Sequence, residues 1–273
     1  MNMLCVKCGS QCQWRQCLLE HPSPSNFYVS CWQSSRSCVP LMSLRIFLFL
    51  YSICVLITSI VWMPLTLDIN CGYWFIYVTH WGYILVALST GFGAAVSACV
   101  YFNRPIDATF GLPWYVKTYW VLYNITIPVA FLVTIFYWGV LRSSVKKLNY
   151  APNPVLDIML HGVNSAVMLV ELLCSAHPSR LLHIMQPLYF AGVYVLFTII
   201  YFFAGGLDPW GNPFVYPVMD WSKPEQTLIV VTLTALFLGL IHLIVVGIAS
   251  LRDLIAKRCL RDTTGVYNDG FDA

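Results

Sequence analysis

Charge is what this sequence has least of. Of its 273 residues only 10% are Asp, Glu, Lys or Arg, while 59% are hydrophobic. A soluble domain is roughly 25% charged and about 45–50% apolar, so this chain cannot cover a globular surface with polar groups. The shortage excludes an ordinary soluble enzyme and a disordered chain. The net charge of +3 gives no footing for a polyanionic partner, and no nucleic acid is expected to bind. A second lack is an apolar core near the start of the chain, where the sequence is polar and cysteine-rich. No cleavable signal peptide is therefore expected, and the first membrane span has to act as an uncleaved signal anchor.

The few charges that exist are informative by position. Six stretches, 46–66, 74–102, 118–141, 155–175, 182–204 and 227–250, are almost free of them. About 20 apolar residues suffice to cross the hydrocarbon core of a bilayer, and every one of the six is long enough. Together they hold only two charges, Asp157 and Glu171; all the others lie outside them. The expected architecture is an all-α, polytopic membrane helix bundle with six transmembrane helices. It occupies 44–250, between a cytosolic Cys-rich tail over 1–43 and a cytosolic C-terminal tail over 251–273. An even number of spans puts both termini on one side. Eleven Lys and Arg fall on that face, among them Lys7, Arg15, Arg36, Arg45, Arg104, Lys117, Arg180 and Arg252, against four on the other: Arg142, Lys146, Lys147 and Lys223. The positive-inside rule places both termini in the cytoplasm.

Six of the eleven cysteines (Cys5, Cys8, Cys12, Cys17, Cys31 and Cys38) precede the first span. A cytosolic tail is in a reducing compartment, which argues against disulfides. The spacing C-x2-C-x3-C-x4-C, with His21 following, raises the question of zinc, but there is no second paired half and no core between the pairs. No metal and no cofactor are expected. Reversible palmitoylation and plain thiols are the two readings for these residues and for Cys259, which stands beside Lys257 and Arg258. Asn124-Ile125-Thr126 has the glycosylation pattern but lies inside the third span, out of reach of glycosylation.

Polar groups within lipid are expensive and should face other helices or a water-filled cleft. On the fourth span Asp157, His161, Asn164 and Glu171 stand at i, i+4, i+7 and i+14, within about 80° of arc on an α-helix. On the second, Thr79, Tyr83, Thr90 and Ser97 fall within about 40°. His183, Tyr194 and Tyr201 share a line on the fifth, and the sixth carries His242. A hydroxyl nucleophile needs a base within reach, and the base needs an orienting group. Thr79 or Ser97 would supply the hydroxyl, His161 the base and Asp157 its orienter. The alternative is structural: interhelical hydrogen bonds worth about 0.6 kcal/mol each. Ion or proton transport is disfavoured, because intramembrane charge is confined to one helix and no inverted repeat is visible. The connection from Gly205 to Trp221 is rich in Pro, Gly and aromatics. It reads as an ordered, tightly turned loop with interfacial anchors, or as a lid.

At that loop the chain resembles a known family. Ala204-Gly205-Gly206-Leu207-Asp208-Pro209-Trp210-Gly211-Asn212, followed by Tyr216-Pro217-Val218-Met219-Asp220-Trp221, is similar to the rolling stone family of animal multi-pass membrane proteins. The likeness extends to Trp74-Phe75-Ile76-Tyr77-Val78-Thr79-His80-Trp81-Gly82, Leu122-Tyr123-Asn124-Ile125 with Pro128, and Tyr137-Trp138-Gly139-Val140-Leu141. It also takes in His161-Gly162-Val163-Asn164-Ser165, Gln186-Pro187 and Phe27-Tyr28-Val29-Ser30-Cys31-Trp32-Gln33, where Cys31 departs from the pattern. The resemblance implies a plasma-membrane protein of myoblast fusion and muscle development. The chain has neither a fusogenic apolar segment nor a large ectodomain, so an auxiliary or lipid-conditioning role is expected.

A more distant resemblance is to the androgen-induced transmembrane hydrolases, which cleave fatty acid esters of hydroxy fatty acids with an intramembrane Thr and His. Their Thr follows an aromatic-rich run, as Thr79 follows Trp74-Phe75-Ile76-Tyr77-Val78. Their His opens a helix ending in a Leu/Glu-rich stretch, as His161 precedes Leu169-Val170-Glu171-Leu172-Leu173. That resemblance implies Thr79 and His161 as a catalytic pair, the lipid bilayer as the medium and a lipid ester as substrate. The pair would have to face each other across a cleft open to lipid or water.

Overall fold

In a computed structural model, residues 14–103, 105–142 and 153–263 are described. The expectations for Cys5, Lys7, Cys8, Cys12, Arg104, Lys146, Lys147 and the turn at Asn268-Asp269-Gly270 lie outside them. Among the described residues six helices are long and apolar enough to cross a membrane, and there is no strand, only a single bridge between Ser30 and Ser175. Helix is the form that lets an open chain satisfy every backbone group internally within lipid.

Helix α1 runs Val39–Leu67, with a proline in its first turn and Asp68 in the left-handed region closing it (φ 51°). It starts well ahead of the apolar stretch at 46, because Pro40 supplies a pre-set φ and forfeits an N–H that the first turn would leave unpaired anyway. Arg45 is thereby moved from the tail into the helix. Helix α2 covers Val78–Phe102. The residues from Trp74 to Tyr77, read from hydropathy as part of this span, form a 3-10 turn (Cys71–Ile76) and one extended residue, Tyr77. That turn folds the buried Trp74 back so that its indole donates to Ser59 Oγ at 3.1 Å and stacks on His80 at 4.3 Å.

Helix α3 is Trp114–Phe136 and continues through one wide π turn, Tyr137–Leu141. Helix α4 is Pro154–Cys174, opened in the middle by a second π turn, Met159–Val163. Helix α5 is Leu181–Phe203, of which the first four residues are 3-10. Helix α6, Pro224–Thr263, has 40 residues. At 1.5 Å per residue it is about 60 Å long, twice the hydrocarbon thickness. The stretch from 251, expected to be a solvated tail, is thus helical as far as Thr263.

Helix α3 is the mast of the bundle and packs against α2, α4, α5 and α6. Its inward positions Tyr119, Trp120, Tyr123 and Ile127 are all but fully buried. Asn124 is buried there too, consistent with a glycosylation pattern that no enzyme reaches.

The polar segment before α1 is docked on one end of the bundle. Phe27 is fully buried, edge-on to His21, Trp120 and His177. Arg180 donates to the carbonyls of Leu18 (2.7 Å) and Glu20 (2.6 Å). The same segment caps α4, whose last carbonyls have no helical partner. Ser30 Oγ donates to Cys174 O and Trp32 Nε1 to Leu173 O, both at 2.6 Å. From α6, Arg252 Nη1 donates to Leu172 O at 2.7 Å. The docked segment and the distal part of α6 therefore meet at one end of the bundle.

Burial, aided by nearby Arg180, pulls the His21 imidazole down from 6.5 to about 4, and burial between Arg45 and Arg252 holds His177 well below the ordinary histidine range. Neutral histidines in the docked state and chargeable ones in the undocked state mean that docking is intact above pH 6.5 and weakens as pH falls from 6.5 towards 4. Limited proteolysis of the detergent-solubilised protein should show cleavage between residues 14 and 37 rising across that window, with no rise between pH 7 and 8. Phe27→Ala should cost about 3–5 kcal/mol of this docking and bring the same cleavage on at pH 7.

Candidate functional site

Glu171 lies on the third helical turn after the π turn of α4 and is 1% exposed. A buried carboxylate needs a cation and hydrogen bonds, and α1 supplies the cation. Arg45, fully buried, places Nε 2.8 Å and Nη2 2.7 Å from Glu171 Oε1. Its remaining donors reach Phe27 O (2.6 Å), Ser97 Oγ (2.9 Å), Gly93 O (3.3 Å) and Tyr119 Oη (2.7 Å). Tyr119 in turn donates to Glu171 Oε1 at 2.6 Å. The planar fork of the guanidinium lets one side chain hold α1, α2, α3, α4 and the docked segment together. Gly93 is part of the fit: a Cβ there would sit 3.0 Å from the Tyr119 ring and 3.4 Å from Arg45 Nε.

The other end of the α4 stripe carries Asp157 and His161. His161 Nδ1 donates to the Asp157 carbonyl at 3.0 Å and lies 2.9 Å from its Oδ1. The imidazole is stacked on Tyr137, with centroids 3.6 Å apart. Arg142 reaches Asp157 Oδ2 at 3.4 Å and lies over the Trp138 ring. One of the four cations counted on the face opposite the termini is therefore engaged by an α4 carboxylate. Between the two ends, Asn164 Oδ1 accepts from Thr134 Oγ1 at 3.0 Å. On α5, His183 is bonded to Asn124 at 2.8 Å.

Thr79 sits in the first turn of α2, 8% exposed, where the connection between α5 and α6, Gly205 to Trp221 (the 5–6 loop), folds over it. Asp208 ties that loop, accepting from the backbone N–H groups of Trp210 and Asn212. Gly205 and Gly211 take positive φ (76° and 85°), a conformation that favours glycine. The loop delivers Tyr216, whose hydroxyl accepts from Val78 N at 3.1 Å and is hydrogen-bonded to the Thr79 side chain. Burial raises the Tyr216 phenol to about 12, so it stays protonated. Tyr194 of α5 accepts from the same Val78 N–H and donates to Ile76 O.

Behind these hydroxyls opens a cavity of about 390 Å³ between α2, α3, α5 and α6. Thr79 is on its wall and His161 is not. The hydrogen bonds of the two residues go elsewhere, to Tyr216 and to Asp157 respectively. Tyr137 is one link between them, lining the cavity and stacking on His161. Of the other hydroxyls of the α2 stripe, Ser97 holds Arg45, Thr90 donates to the carbonyl of Val86, one turn back, and Tyr83 is buried with no hydrogen-bond partner for its hydroxyl among the described residues. No cluster of metal ligands is found among the described residues.

Sequence reasoning missed Arg45, Tyr119, Tyr137, Tyr216 and Arg252. The signal for Arg45 was Glu171 itself, since a carboxylate in lipid demands a cation and Arg45 stands immediately before the first apolar stretch.

A family model described as Protein rolling stone matches residues 19–262. The chain is 31% identical over 230 residues to the protein rolling stone of Drosophila melanogaster, covering 78% of this chain and 77% of that one. No solved structure matches.

Removing one member of a buried ion pair leaves the other uncompensated, at about 3–5 kcal/mol. Arg45→Met should cost that much in unfolding titrations in mixed micelles. Tyr119→Phe, which removes one hydroxyl from the network, should cost about 1–3 kcal/mol.

Proposed function

The chain belongs to the rolling stone family, and from that premise we propose that it is a plasma-membrane protein of myoblast fusion and muscle development, with both termini in the cytoplasm. The observation that carries this reading is the family match, which spans the docked segment and all six helices. The geometry supports an auxiliary part. The intramembrane ion pair and its partners Ser97 and Tyr119, and the Thr134–Asn164 and Asn124–His183 bonds, hold helices to one another. The cytoplasmic placement of the termini rests on the eleven Lys and Arg of that face.

A second reading, hydrolysis of a lipid ester by Thr79 with His161 as base, has one observation in its favour: Thr79 opens onto an apolar cavity within the membrane span. Against it, the hydrogen bond of His161 goes to Asp157 and that of Thr79 to Tyr216, and His161 is not on the cavity wall.

Depleting the protein in differentiating myoblasts should lower the number of nuclei per fibre, and re-expression should restore it; an unchanged count would remove the fusion role. For the hydrolase reading, the purified protein would be assayed on a fatty acid ester of a hydroxy fatty acid beside Thr79→Ala and His161→Ala. Equal turnover in all three would dispose of the pair.

A further inference from the structure

We propose that the cavity between α2, α3, α5 and α6 is a binding site for one acyl chain of a lipid, entered by that chain and an uncharged ester, amide or alcohol group held at Thr79 and Tyr216, and by no charged headgroup. The site lies beside helices whose outer faces carry large apolar side chains such as Leu196, Ile200, Leu233 and Leu236. At that depth the surrounding medium is hydrocarbon, and a chain enters sideways from it.

Three features choose the occupant. The walls are made of groups such as Val129, Val133, Leu188, Ala191, Ala235 and Leu238. A cavity so lined is a poor place for water, which needs two to four polar partners, and a good one for methylene groups. Its volume of about 390 Å³ falls in the range of sites for small organic ligands. Of the polar residues on the walls, Thr79, Tyr194 and Tyr216 converge on the first turn of α2, and Tyr137 and Thr234 are the others. Among the described residues no Lys, Arg, Asp or Glu lines the cavity, so a carboxylate or phosphate drawn against these walls would be a buried charge without a partner. An elongated apolar body with one uncharged polar end fits both halves. The site requires no chemistry at Thr79 and stands whether or not that residue is a nucleophile. It adds a ligand to the fusion role without depending on it.

Two lipids present this chemistry: a free monoacylglycerol, and an acyl chain of a bilayer phospholipid reaching in with its ester while the headgroup stays outside. The test uses the full chain in nanodiscs with two photoactivatable probes, a diazirine monoacylglycerol and a phosphatidylcholine carrying the diazirine on one chain. Peptides from α5, α6 and the 5–6 loop would be quantified by mass spectrometry. The proposal predicts labelling on cavity-lining residues by at least one probe, and which probe labels tells the two sources apart. Ala191→Trp and Ala235→Trp fill the cavity from different helices and should each reduce that labelling at least fivefold. Leu196→Trp, on the exposed face, should leave it unchanged. Excess unlabelled lipid of the labelling class should compete it away in the wild-type chain, a control that needs no variant to fold. Labelling confined to outward-facing residues, or cavity labelling that resists competition, would overturn the proposal.

Discussion

One ion pair in a medium that does not tolerate unpaired charge organises this molecule. Arg45 and Glu171 come from helices α1 and α4, separated by 126 positions in the chain, and meet in the interior with almost no exposure. Bringing two charges out of water is unfavourable, and the penalty is offset only where geometry and further hydrogen bonds are good. Here every nitrogen of the guanidinium is used, by Glu171, Phe27, Gly93, Ser97 and Tyr119. Such a pair adds little as glue compared with an apolar core, but it permits one register. Sliding α1 against α4 by a turn would strand both charges in hydrocarbon.

From that pair the two ends of the bundle acquire different characters. The end near Arg45 is closed. Phe27 plugs it, Ser30, Trp32 and Arg252 cap α4, and Arg180 fastens the docked segment by its carbonyls. The far end is looser. The π turns of α3 and α4, the 3-10 turn before α2 and the Pro/Gly-rich loop all lie there, and the cavity opens beneath the loop residue Tyr216. Widened turns are where helices most often depart from regular packing at functional positions. A closed end and a cavity under a tied loop are the arrangement on which the proposed lipid site rests.

The six helices were legible because hydropathy is a property of composition, read locally and without knowledge of partners. The inward stripe of α4 was legible for the same reason, since periodicity alone groups Asp157, His161, Asn164 and Glu171. Long-range pairing was not. Arg45 reads as a cytosolic tail charge until Pro40 is recognised as a helix-starting residue, and nothing local to Glu171 says which helix will answer it. The turn at Trp74–Tyr77 was hidden because its residues are as apolar as a span. The docked segment was hidden because it is polar by composition and held by backbone carbonyls, which leave no trace in the sequence. Thr79 and His161 share the far end of the bundle in the sequence reading. Their separate engagements, with Tyr216 and with Asp157, depend on a loop and a turn whose geometry hydropathy does not encode.

The central claim is that Arg45 and Glu171 act as one unit, and a double-mutant cycle tests it most directly. Unfolding free energies of the wild type, Arg45→Met, Glu171→Gln and the double variant would be measured in the same micelles. If the pair is a unit, the double variant loses less than the two singles together, by roughly 1–3 kcal/mol. Losses that simply add would contradict the account.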